Sequence, residues 1–203
     1  RYFSLSDMGT YGLVASTVAI AIPLLGFRYD YMVTRELVEA SPLRAAILIR
    51  DETVFYGLNY LFLAAVVLIG VFFIPHNTNN TVVAITLLLS ILESLCVVTS
   101  TNFVFLKRPI LSNFLFFLRS AAWTIPVIGL GLFTPTLRSL NFVFSFWLLG
   151  LLGSLIVTTY MLKYMPWKET FKIKVDWPHI RKDVTRCLPI WLGAIGAVGA
   201  INI

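Results

Sequence analysis

Residues 81–106 read TVVAITLLLSILESLCVVTSTNFVFL, an almost unbroken apolar run whose single charged side chain is Glu93. A helix that crosses the hydrocarbon core of a bilayer needs about 20 mainly apolar residues. The run is continuous, whereas a strand of a membrane barrel alternates apolar and polar residues over about ten positions. This stretch therefore predicts a transmembrane helix.

Similar apolar runs occur on both sides of this stretch. We predict four more complete spans and the start of another, at residues 8–27, 53–75, 110–133, 139–162 and 187–203. Polar turns, charged residues or prolines separate the runs. The sequence thus predicts an all-α, polytopic transmembrane helix bundle.

The composition excludes a soluble enzyme and a disordered chain. Hydrophobic residues make up 58% of the 203 residues and charged residues only 13%, against about 45–50% and 25% in soluble domains. A disordered chain would contain far fewer apolar side chains. The net charge is +6, but the basic residues are spread between apolar runs, so we expect no nucleic-acid partner.

The basic residues are distributed unevenly between the segments that join the runs. Segments 28–50, 107–108 and 163–186 hold four, two and seven of the 16 Lys and Arg residues. They alternate with the other segments and so share one side, whereas Arg1 and Arg138 lie on the other. Because cytoplasmic loops are rich in Lys and Arg, we expect the three basic segments to be cytoplasmic. Residue 1 would then be external, after a span that this sequence lacks.

A helix on the membrane surface is predicted before the last apolar run. Trp177, Ile180, Val184 and Leu188 are spaced by three, four and four residues, which indicates one apolar helical face. Basic side chains between residues 181 and 186 would then face lipid headgroups. Leu37, Val38 and residues 43–49 suggest a similar interfacial element.

No arrangement of residues typical of catalysis or of a metal or cofactor site is present in the sequence. Cys96 and Cys187 are isolated and are predicted to be free, buried thiols. His76 and His179 are predicted to lie in loops on opposite sides, without metal-ligand spacing. The sequence also lacks a phosphate-binding or dinucleotide-binding glycine motif. We therefore expect neither an enzyme nor a cofactor.

Two ionisable residues lie at membrane depth. A charge at the centre of an isolated transmembrane helix costs about 2.5–3.5 kcal/mol or more, so it needs a partner or a watery cavity. Counted from the turn between their spans, Glu93 and Arg119 would differ by roughly 4–5 Å in depth. A structural ion pair and a cavity-lining substrate or coupling role are both consistent with this placement.

Two other residues complete the set of candidate substrate-binding or coupling residues, which is Arg119, Glu93, Arg28 and Asn59. Arg28, with Asp30, flanks the inner end of the first span, where it can anchor the helix at the membrane surface or bind substrate. Asn59 lies within the second span and can form a hydrogen bond between helices.

Four segments resemble a known family of membrane proteins. They are RYFSLSDMGTYGL at 1–13, GFRYDY at 26–31, FLRSAAW at 117–123 and CLPIW at 187–191. Their order along the chain is similar to that of the O-antigen and polysaccharide flippases of the multidrug/oligosaccharidyl-lipid/polysaccharide exporter superfamily. The resemblance implies a transporter with two six-helix lobes. Residues 1–165 would belong to the N-terminal lobe without its first span, 166–186 would be a cytoplasmic amphipathic linker, and 187–203 would begin a span of the second lobe.

The resemblance also implies a function. Such a protein flips a lipid-linked oligosaccharide across the bacterial inner membrane for the synthesis of surface polysaccharide, and its partners would be that substrate, membrane lipids and a coupling cation. One alternative is a cation-coupled multidrug exporter of the same superfamily. Another is a membrane glycosyltransferase or polysaccharide polymerase, which would need a large external loop or acidic catalytic residues near a membrane face.

Overall fold

The computed structural model describes residues 3–73, 79–134 and 138–201, and these residues form α-helices and connecting turns without a β-strand. A π-helical turn, Leu118–Ala122, joins the fifth helix to the sixth. The helices are α1 Leu5–Gly26, α2 Tyr29–Leu37, α3 Pro42–Phe73, α4 Asn80–Phe105, α5 Pro109–Phe117, α6 Thr124–Phe133, α7 Leu140–Leu162, α8 Trp167–Thr170 and α9 Trp177–Ile201.

Among the described residues, five helical stretches are long and apolar enough to cross a membrane, so the predicted all-α, multi-pass bundle is confirmed. They are Leu5–Gly26, Pro42–Phe73, Asn80–Phe105, Pro109–Phe133 and Leu140–Leu162. The fourth contains α5, the π-helical turn and α6.

Side chains and prolines fix where several of these helices begin. The Ser4 hydroxyl accepts a hydrogen bond from the Asp7 N–H (3.0 Å), and the Asp7 carboxylate accepts one from the Ser4 N–H (3.2 Å). At the start of α4 the Asn79 side chain accepts from the Thr81 N–H (2.9 Å). Pro109 is the first residue of α5, where its missing N–H costs nothing.

The fourth helix, α4, is the centre of the bundle and packs against α1, α5 and α7. One apolar cluster lies between α1, α4 and α7 and includes Val14, Leu89 and Leu151. A second cluster lies at the other end of the bundle, where α2, α3 and α9 meet. The far half of α3 presents large apolar side chains outwards, such as Leu61 and Phe72, as a lipid-facing helix does.

The second span begins earlier than the sequence predicts. Helix α3 starts at Pro42 rather than at residue 53, so residues 43–49 are its first turns and not a separate element. Arg50, Asp51 and Glu52 are buried inside this helix. The Arg50 guanidinium donates to the main-chain carbonyls of Thr170 and Ile173, which are remote in sequence. These hydrogen bonds stabilise the charge of Arg50 at a buried position.

The predicted amphipathic segment and the last apolar run form a single helix, α9, which passes through residue 187 without a break. His179 therefore lies in a helix and not in a loop, whereas His76 is outside the described residues. The predicted apolar face is only partly right. Ile180, Cys187 and the polar Asp183 are buried, while Trp177 and Leu188 are substantially exposed. The buried face follows the contacts with α1 and α2 rather than the most apolar stripe of α9.

The three basic segments meet at the same end of the bundle. One groove there is lined by Leu37, Arg108 and Tyr164, which belong to three different connections. The prediction that these segments share one side is therefore confirmed. Their cytoplasmic placement stays a prediction.

Candidate functional site

The ion pair predicted between the third and fourth spans is present. An Nη1 atom of Arg119 donates to Oε1 of Glu93 at 2.8 Å, and each side chain is only 12% exposed. Residue counting along two antiparallel helices was sufficient to place the two charges at one depth. The ion pair, one of the two interpretations left open by the sequence, is therefore present, and the substrate or coupling role stays a prediction.

Two tryptophans fix the geometry of this pair. The Trp147 indole N–H donates to the second Glu93 oxygen, Oε2, at 3.2 Å. The Trp123 indole N–H donates to the Arg119 main-chain carbonyl at 3.0 Å. The two indole rings stack with centroids 5.6 Å apart and planes 10° apart. Both carboxylate oxygens of Glu93 therefore have a donor.

The π-helical turn places Arg119 against α7. A Cβ atom at Gly150 of α7 would lie 2.9 Å from both the Leu118 carbonyl oxygen and Cδ1 of Trp123, so only glycine allows this approach. Single π-turns inside α-helices are rare and often occur at functional sites. Within the described residues, Nε of Arg119 is buried without a hydrogen-bond acceptor. The guanidinium thus keeps a donor that Glu93 does not use.

Arg28 lies away from this pair, in the turn between α1 and α2. Phe27 and Arg28 both have positive φ, 46° and 56°, which is uncommon for residues other than glycine. Burial raises the pKa of the neighbouring Asp30, and the Arg28 charge opposes that rise. The Tyr56 hydroxyl donates to the same carboxylate at 3.4 Å.

Asn59 connects two helices, as expected for a polar side chain in a span. Its Nδ2 donates to the Leu25 carbonyl oxygen near the end of α1, at 3.0 Å. Among the hydrogen bonds of the described residues, none joins Asn59 or Arg28 to Glu93 or Arg119. The structure therefore pairs Glu93 with Arg119, and its hydrogen bonds connect neither Arg28 nor Asn59 to that pair.

A groove of about 770 Å³ lies between α1, α3 and α4. Aliphatic side chains such as Leu24 and Val67 form most of its wall. Hydroxyl side chains of Thr17, Thr86 and Ser90 contribute polar atoms along it. Asn79, at the start of α4, lies at the end of the groove that is remote from α2 and α9.

Glu52 is a buried acid that the sequence reasoning missed, because it was taken to precede the second span. Its side chain is 1% exposed, and Nδ2 of Asn102 donates to its Oε2. A sequence signal was available: Glu52, Tyr56 and Tyr60 are spaced by four residues, which places them on one face of a helix.

A cluster of one histidine and two acids was also missed. Nε2 of His179 lies 3.0 Å from Oε1 of Glu36 and 3.2 Å from Oδ2 of Asp183. The three side chains offer ligand atoms within 4.8 Å of one another, which a metal ion could use. Arg44 binds Glu36 at 2.7 Å and Arg186 approaches Asp183 at 3.8 Å, so cations already compensate both carboxylates. We interpret the cluster as an ionic contact that holds α9 against α2.

Both cysteines are free and buried, as predicted.

No family model, curated protein or solved structure matches this chain. Any function for this chain therefore has to be inferred from the membrane-spanning helices and the charged pair inside them.

Proposed function

We propose that this chain belongs to a transporter that moves a lipid-linked oligosaccharide from the inner to the outer leaflet of the bacterial inner membrane, for surface polysaccharide. The observation that carries this proposal is the Glu93–Arg119 pair inside a bundle of membrane-spanning helices. The physical task is to move a polar headgroup through about 30 Å of hydrocarbon. Charged side chains within the spans could bind such a headgroup in the interior of the membrane.

The pair is suited to recognising an anion. A charged side chain in a transmembrane helix is expensive and usually marks a substrate or ion path. Arg119 keeps a small exposed fraction and an Nε donor without an acceptor among the described residues. A guanidinium binds phosphate or an acidic sugar through charge-assisted hydrogen bonds. Glu93 and Trp147 would hold the cation in place before the substrate arrives.

The groove between α1, α3 and α4 is a separate feature, lined by neither Glu93 nor Arg119, and it suits a substrate that is partly lipid. Its aliphatic wall suits a hydrocarbon chain, and the hydroxyls of Thr17, Thr86 and Ser90 suit a polar group next to that chain. With the second lobe that the resemblance implies, rocking of the two lobes would expose the site to each side in turn.

The second candidate is a cation-coupled exporter, and the observation that favours it is Glu52. This buried acid has no basic partner among the ion pairs of the described residues. A cationic drug or a coupling ion could use such a group. In that case Arg119 would be a structural residue, and its replacement would not affect export of polysaccharide.

The test replaces Arg119 in the chromosomal gene of the producing bacterium. Arg119→Ala is expected to stop surface polysaccharide export while the protein stays in the membrane. Arg119→Lys is expected to retain part of the export, because it keeps the charge but not the fork of donors. Arg108→Ala, at an exposed position directly before α5, is the matched control.

Export is measured with a lectin or antibody against the polysaccharide, and membrane abundance with a tag on the protein. Normal export by Arg119→Ala at normal abundance would refute a transport role for this residue. If Arg119→Ala is degraded, the exchange variant Glu93→Arg with Arg119→Glu separates the two roles. Restored abundance together with restored export would make the pair purely structural.

A further inference from the structure

Only one of the two carboxyl oxygens of Glu52 has a hydrogen-bond partner among the described residues. Asn102 donates to Oε2 of Glu52, as described above. The other carboxyl oxygen, Oε1, is buried without a hydrogen-bond partner among the described residues. The same holds for Oδ1 of Asn102. Two side chains in direct contact thus each leave one buried oxygen without a hydrogen bond, which is unfavourable for a buried polar atom.

The charges around Glu52 do not favour a carboxylate there. Asp30 of α2 has the same sign as a Glu52 carboxylate and acts against it, and none of the ion pairs of the described residues includes Glu52. The nearest arginine along the chain, Arg50, is bound to Asp51 at 2.6 Å. The other titratable groups that face Glu52 are tyrosine hydroxyls, on Tyr29 of α2 and on Tyr56 and Tyr60 of α3.

A single proton on Glu52 would give both of these oxygens a hydrogen bond. A carboxylic acid and a carboxamide can form two hydrogen bonds in a ring, because each group has one donor and one acceptor. Here the Asn102 amide donates to Oε2 of Glu52, and a proton on Oε1 would donate to Oδ1 of Asn102. A metal cation fits less well, since hard cations take about six or more oxygen ligands and this pair leaves two.

We propose that Glu52 and Asn102 form a proton-binding site between α3 and α4, and that Glu52 carries the proton in this conformation. Release of the proton would leave an uncompensated carboxylate between the helices. That charge would favour separation of α3 from α4 and entry of water. In the transporter proposed above, on which this step rests, proton release would couple helix movement to the proton gradient.

Several side chains with hydroxyl groups lie between this site and the groove. Tyr56 and Tyr60 follow Glu52 at successive turns of α3. The Tyr60 hydroxyl donates to Oγ of Ser94 on α4, at 3.2 Å. Ser90, one turn further along α4, lines the groove. The Tyr56 hydroxyl donates to Asp30 instead, so the hydrogen bonds of the described residues form no continuous path from the groove to Glu52.

Infrared spectroscopy of the purified protein in lipid nanodiscs tests this site directly. The carbonyl stretch of a protonated carboxylic acid should be present at neutral pH and should shift in heavy water. We expect Glu52→Gln to remove this band, and Asp30→Asn to leave it. Asn102→Ala should move it to higher frequency, because the acid loses its hydrogen-bond partner. A spectrum that is the same in wild type, Glu52→Gln and Asn102→Ala would overturn the proposal.

The same substitution at the two buried glutamates provides a matched comparison. Glutamine resembles a protonated glutamate, so Glu52→Gln should unfold at the wild-type temperature or above it. Glu93→Gln should unfold at a clearly lower temperature, because Arg119 loses its counter-ion. Thermal stabilisation by sodium chloride over choline chloride, seen in wild type and lost in Glu52→Gln, would identify a metal-cation site and overturn the proposal. These readouts use the protein alone and do not depend on polysaccharide export.

Discussion

Removing one member of the Glu93–Arg119 pair should destabilise the protein far more than removing both. The two side chains are 12% exposed and their charged atoms are 2.8 Å apart. Glu93→Leu leaves the guanidinium buried without a counter-ion, and breaking a buried pair in this way costs about 3–5 kcal/mol. The double variant Glu93→Leu with Arg119→Met leaves no charge behind. It should recover most of the loss, because apolar replacements of a whole buried pair are often neutral.

The measurement is a double-mutant cycle on reversible unfolding in mixed micelles. We expect a coupling free energy of at least about 2 kcal/mol between the two positions, within the range seen for residues in one network. Arg44→Met is the control, because the Arg44–Glu36 pair is 42% and 34% exposed and such pairs contribute about 0–1 kcal/mol. Additive effects of the two single variants would refute the inference that each charge is kept in the spans by the other.

Two further predictions concern packing and topology. Gly150→Val should lower the unfolding temperature and change tryptophan fluorescence, because a Cβ atom there would lie 2.9 Å from the Leu118 carbonyl oxygen and from the Trp123 ring. The control is Gly153→Ala, which has open space around its Cβ position and should behave as wild type. A cysteine introduced at Asn79 should react with an impermeant label from outside intact cells and one at Lys172 only after permeabilisation, and the opposite pattern would invert the proposed orientation.

The spans and the ion pair were predictable because they depend on local quantities. The length of an apolar run sets the span, and a rise of 1.5 Å per residue sets the depth of Glu93 and Arg119. The start of α3 was not predictable in this way. Arg50 is charged and marks a loop by hydropathy, yet its acceptors are the carbonyls of Thr170 and Ile173. Nothing near residue 50 in the sequence indicates such partners.

The missed acid and the missed histidine cluster have the same cause. Glu52 becomes a buried residue only when α3 extends back to Pro42 and Asn102 packs against it. His179 meets Glu36 only when α9 docks on α2. Both depend on contacts between elements that are far apart in the chain, whereas periodicity within one element reports only which side chains share a face.

The π-helical turn at Leu118–Ala122 also determines how α6 is rotated about its axis relative to α5. A π-turn acts as one extra residue inserted in an α-helix, and each residue turns an α-helix by about 100°. Deleting one residue there would restore regular winding and rotate α6 relative to α5 by roughly that angle. The outward-facing Ile125 and Ile128 would leave the lipid side, and Trp123 would swing away from Trp147. The inserted residue thus lets one span present Arg119 to its neighbours in one half and an apolar surface to lipid in the other.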